Sequence, residues 1–74
     1  MTASITKNIT ILGFTNGSET VFFNANAETI AAHTNYVPQT TERGASYITV
    51  KNEDFDILSA RMVARGYRFA ILDN

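Results

Sequence analysis

Residues 5–14, Ile-Thr-Lys-Asn-Ile-Thr-Ile-Leu-Gly-Phe, are rich in β-branched side chains and lead through Thr15-Asn16-Gly17-Ser18 into a second apolar run, Thr20-Val21-Phe22-Phe23. Asn-Gly between two such runs is the strongest short-range hairpin signal, because both residues accept the positive φ of a type I′ turn. The pattern predicts strands at 5–14 and 19–24. Asn26 then offers a cap for a short helix from Ala27 to about Asn35, with Glu28 near its positive end and Ile30, Thr34 and Val37 spaced toward one face. Pro38 and the polar residues 39–44 read as a loop.

In the second half, Ser46, Ile48 and Val50 alternate with Tyr47, Thr49 and Lys51, the period of a strand covered on one face. Asn52 follows as a helix cap. Glu53, Asp54 and Asp56 crowd the first turn and Arg61 and Arg65 lie near the last, both matched to the helix dipole, before Gly66 supplies a left-handed stop. The helix predicted over 53–65 gathers Phe55, Leu58 and Met62 on the side that should meet a sheet and turns Ile57, Ala60 and Ala64 away. A final strand, Tyr67-Arg68-Phe69-Ala70-Ile71-Leu72, places Tyr67, Phe69 and Ile71 together.

These elements predict one domain over 1–74 of class α+β: a four-stranded mixed sheet with two helices on one face, in the order ββαβαβ. The helix-free face is expected to carry Leu12 or Phe14, Phe22, Tyr47, Ala70 and Leu72. Such a face is too apolar for ordinary solvent-facing surface.

Composition narrows the chemistry. The 74 residues include no Cys, which excludes a disulfide framework, a thiolate zinc site and a cysteine nucleophile. Seven acids against six bases leave a net charge of −1, so neither a strongly basic nucleic-acid binder nor an acidic imitation of DNA is indicated. Ten Thr and seven Asn beside two Lys favour strands with tight connections. Asn8-Ile9-Thr10 and Asn16-Gly17-Ser18 match the glycosylation pattern but, with no export signal expected, read as strand and turn. With no continuous apolar stretch for a membrane span or signal peptide, no membrane association and a cytoplasmic location are expected.

His33 is the single histidine, and Glu28 lies about 140° from it around a helix, so the two do not form a metal pair. No Gly-x-Ser-x-Gly elbow, phosphate loop or calcium-loop pattern occurs, and the acids at 53, 54 and 56 stand where the dipole favours them. No enzyme activity, cofactor or metal is therefore expected. Arg61, Arg65 and Arg68 form the one basic grouping, suited to a phosphate backbone or an acidic protein surface.

In size, Thr/Asn bias, lack of Cys and hairpin-first layout the chain resembles the small accessory proteins of bacteriophages and mobile elements, which include anti-CRISPR proteins and inhibitors of host transcription. The hairpin followed by Ala27-Glu28-Thr29-Ile30, then Tyr36-Val37-Pro38 and a strand, is similar to the T7-type phage inhibitors of host RNA polymerase. The intervening helix is shorter here, and no binding residue of that family is carried over. What the resemblance implies is a non-enzymatic protein-binding inhibitor of a bacterial nucleoprotein machine. Two surfaces are candidates for the partner: the helix-free sheet face around Phe22 and Tyr47, and the outer stripe of Ile57, Ala60, Arg61 and Ala64. The stripe would also serve a homodimer. A nucleic-acid-binding accessory domain using Arg61, Arg65 and Arg68, and an assembly subunit of a phage particle, are the alternatives.

Overall fold

The structure is a computed structural model that describes residues 9–73. It contains β1 (Ile9–Asn16), β2 (Glu19–Phe23), α1 (Asn24–His33), β3 (Gln39–Thr40), β4 (Ser46–Lys51), α2 (Asn52–Ala64) and β5 (Tyr67–Asp73). The strands form one mixed sheet in the order β3-β4-β2-β1-β5. The α+β class, the mixed sheet and the two helices agree with the sequence reading. The strand count and the element order do not, because the expected loop at 39–44 holds a fifth strand and turns the expected ββαβαβ into ββαββαβ. There Gln39 and Thr40 pair with Tyr47 and Ser46 around a turn closed by Thr41 N–H to Ala45 O at 2.8 Å and Gly44 N–H to Thr41 O at 2.9 Å. The part of the expected first strand at 5–8 lies outside the described residues.

β1 and β2 form the predicted antiparallel hairpin, with Asn16 opposite Glu19. Its two turn residues are Gly17 and Ser18, and of these only Gly17 takes a positive φ, 68°. That is the φ pattern of a type II′ turn rather than the type I′ expected from Asn-Gly. At the other end of β2 the chain turns straight into α1 through Asn24, whose φ of 53° lies in the left-handed region that Asn tolerates better than most residues. The helix accordingly starts three residues before the expected Ala27. Asn26 does not cap it. Its side-chain oxygen instead accepts a bond from Leu12 N–H at 3.1 Å, satisfying β1 where the ladder with β2 has run out. Val37, expected on the buried side of this segment, is 79% exposed beyond the helix end.

β4 runs parallel to β5, since β4 and β1 are both antiparallel to β2 and β1 is parallel to β5. The connection through α2 therefore passes over β2 and β1. This places Phe55 against Phe22 and Phe69, with ring centroids 6.2 and 5.1 Å apart. Leu58 and Met62 are buried with them, as the helical spacing predicts, and Ala27 and Ile30 of α1 cover the other half of the same core with Ile11, Ile48 and Val50. Both helices thus lie on one face of the sheet.

Just beyond α2, Gly66 has a φ of 96° and its N–H reaches Val63 O at 3.0 Å. A β-branched residue is strained at that φ, so Gly66→Val should destabilise the domain by more than about 1 kcal/mol. Urea unfolding followed by circular dichroism checks this, and an unchanged midpoint would refute it.

Candidate functional site

Cross-strand neighbours share a side of a sheet, so the register fixes which side chains stand on the face without helices. Leu12 and Phe14 on β1 lie level with Ala70 and Leu72 on β5, Phe14 with Val21 on β2, and Val21 and Phe23 with Thr49 and Tyr47 on β4. Three aromatic rings form a row across this face. Phe14 and Phe23 are 6.1 Å apart between centroids, Phe23 and Tyr47 are 6.4 Å apart, and the Tyr47 hydroxyl ends the row by donating to Gln39 Oε1 at 2.8 Å. Phe23 remains 37% exposed and Leu72 49%.

Phe22, expected on this face, is not there. It is fully buried on the helix side opposite Gly13, and its neighbour Phe23 occupies the open face instead. Two adjacent phenylalanines must point to opposite sides of a strand, and the missing side chain at Gly13 leaves the space that Phe22 fills. Tyr47, by contrast, stands where expected. Beside it a groove of about 450 Å³ opens between the 40–42 segment and the central strands, lined by Val21, Phe23, Thr40, Glu42, Tyr47 and Thr49 among others.

The outer side of α2 exposes Ile57, Ala60, Arg61 and Ala64. A second cleft of about 330 Å³ lies between this helix and the chain leaving α1, with Asn35 and Tyr36 on one wall and Asp54, Ile57, Leu58 and Arg61 on the other. Desolvation, and then the Asp54 carboxylate, push the Tyr36 phenol above its ordinary pKa.

The three arginines do not converge. Arg61 borders this cleft, whereas Arg65 turns to the end of α1 and Arg68 alternates with the core-packed Tyr67 and Phe69 and so projects on the open sheet face. Arg65 Nη1 lies 3.2 Å from His33 Nδ1, and His33 Nε2 lies 3.0 Å from the Tyr67 hydroxyl. Because a guanidinium can only donate, Nδ1 is the acceptor and Nε2 carries the proton given to Tyr67. His33 thereby ties α1 to the start of β5, with both ring nitrogens engaged.

No family model, curated protein or solved structure matches the chain.

Among the described residues no three His, Asp or Glu side chains gather as a metal site, and no helix is long and apolar enough to cross a membrane. What the arrangement offers is contact area: an aromatic row on rigid strands, with a polar-edged groove at one end. Phe23 and Glu42 were missed by the sequence reading. The hairpin register, which sets Gly13 opposite Phe22, is the signal that would have found Phe23.

Proposed function

We propose that this is a non-catalytic protein-binding module that engages its partner through the helix-free sheet face, with Phe23 and Tyr47 at the centre of the contact. The aromatic row carries this reading. Tyr and other aromatic side chains dominate binding energy when a partner buries them, and few conformations are lost when they are already held by cross-strand neighbours. The groove beside the row takes an apolar side chain against Val21 and Phe23, and Glu42 at its rim suits a basic neighbour on the partner. An apolar segment with an adjacent Lys or Arg is the chemistry that fits. For the identity of that partner, the small size, the low charge and the resemblance to phage inhibitors favour a bacterial nucleoprotein complex, either a transcription or a CRISPR effector machine, which the protein would block.

Single-stranded nucleic acid stacked on the same rings is the competing occupant. Against it, among the described residues the strand bases that the register sets on this face, Lys51 and Arg68, are matched by Glu19, directly opposite Lys51, and by Glu42 in the groove. Bases paired with acids in this way gain little from a phosphate backbone.

The test is binding of purified bacterial RNA polymerase, a purified CRISPR effector complex and a single-stranded oligonucleotide to the wild type and to a Phe23→Ala/Tyr47→Ala variant. Wild type should bind one of the protein complexes, and the variant should lose at least about tenfold in affinity with its circular dichroism unchanged. Binding to the oligonucleotide alone, or equal binding by both proteins, would overturn the proposal.

A further inference from the structure

The outer face of α2 carries a charge pattern that the sheet-face reading does not use. Asp54 and Arg61 are seven residues apart on one side of the helix, about 10 Å along its axis. Ile57, 68% exposed, stands between them. All three border the cleft whose far wall is Asn35 and Tyr36. Among the described residues no hydrogen bond or ion pair engages the Asp54 carboxylate or the Arg61 guanidinium. The helix as a whole is acidic in its first turn, through Glu53 and Asp54, and basic in its last, through Arg61.

We infer that α2 is a self-association surface, on which a second copy of this chain packs its own α2 antiparallel about a two-fold axis passing beside Ile57 and Leu58. In that arrangement Asp54 lies level with the partner's Arg61, and Arg61 with the partner's Asp54. The same ion pair is made twice. The two Ile57 side chains meet near the axis and fill the two clefts against Leu58 and Tyr36, while the small Ala60 and Ala64 allow the helices to approach closely. Antiparallel packing also sets each acidic helix start against the other's basic end, the favourable alignment of the two dipoles. Parallel packing would place Asp54 on Asp54 and Arg61 on Arg61, so the charges select the two-fold arrangement. A helix of 13 residues buries an area at the small end of stable interfaces, so the dimer forms in a concentration-dependent way.

The pattern supplies its own test. Asp54→Arg alone sets bases against bases across the axis, and Arg61→Asp alone sets acids against acids. Each variant should sediment as a monomer at concentrations and low salt where wild type is dimeric. An equimolar mixture of the two variants should form a one-to-one dimer, since every facing pair is then of opposite sign, and high salt should dissociate it. A wild type that stays monomeric up to millimolar concentration, single variants that dimerise like wild type, or a mixture that stays monomeric would each overturn the inference. Should a charge reversal unfold the helix, Ile57→Asp, at an exposed position, is expected to give a folded monomer, and a folded dimer from it would count against the interface. This result is separable from the sheet-face reading: Phe23→Ala/Tyr47→Ala should leave the dimer intact. Loss of the dimer in that variant, with the α2 variants unaffected, would place self-association on the sheet and refute the helix interface.

Discussion

Replacing Gly13 by Ala should destabilise the domain by about 2–3 kcal/mol, a large share of what a core of this size supplies. An added Cβ would lie 2.5 Å from Phe22 Cε1, 3.0 Å from its Cδ1 and 3.1 Å from Ile71 Cδ1. The Phe22 ring has no room to retreat, because it is fully buried and bounded by Phe55 at 6.2 Å and Phe69 at 6.0 Å. The strand must therefore shift, or the aromatic cluster must repack. Phe22→Leu removes ring atoms from the clash and by itself should cost about 1–2 kcal/mol through the space it leaves. The double variant should be more stable than the sum of the two losses predicts by about 1 kcal/mol or more, a coupling that urea titration of all four proteins would measure. Simple additivity, or a Gly13→Ala protein within about 0.5 kcal/mol of wild type, would show that Phe22 does not press on Gly13.

This contact also explains which parts of the molecule were legible in the sequence. The hairpin, α2 and β5 were readable because several independent signals fell on each: for α2, acids at one end, arginines at the other, an apolar stripe at helical spacing and Gly66 beyond it. The open face is legible in outline, with Leu12 or Phe14, Tyr47, Ala70 and Leu72 on it, where the structure sets both Leu12 and Phe14, but Phe22 does not belong to it. Phe22 and Phe23 are consecutive and equally apolar, so alternation within β2 cannot say which of them is buried. Only the opposing strand decides, through the absence of a side chain at Gly13. The fifth strand escaped for a different reason: Gln39 and Thr40 are polar, both are exposed, and they pair because Thr41 and Gly44 close a turn rather than because of any apolar pattern. The scatter of Arg61, Arg65 and Arg68 over different surfaces likewise depends on where α2 stops and β5 begins to alternate. Nearness in sequence is not nearness in space for these three side chains.

The two asparagines read as helix caps show the same limit, and Asn52 leads to the second large effect. α2 begins at Asn52 with Lys51 at the cap position and no side-chain cap bond. Asn52 instead fastens the helix start to the β1–β2 hairpin. Its backbone N–H donates to Ser18 O at 2.9 Å and its side-chain Nδ2 to Gly17 O at 3.0 Å, while its Oδ1 accepts from the Thr20 hydroxyl at 3.1 Å. Thr20 is 1% exposed, so that hydroxyl has no water to turn to. Asn52→Ala should therefore cost about 2 kcal/mol, more than an exposed alanine substitution in a helix, because it strands a buried donor as well as removing a bond. Thr20→Val in the wild type should cost about 1 kcal/mol or less, since the Asn52 oxygen it abandons is at the surface and can be hydrated. In the Asn52→Ala background the sign should reverse: Thr20→Val then removes the stranded hydroxyl and should raise stability above that of Asn52→Ala alone. Urea unfolding of the four proteins decides it. If Thr20→Val is destabilising to the same extent in both backgrounds, the hydroxyl does not depend on Asn52, and the role assigned to this side chain fails.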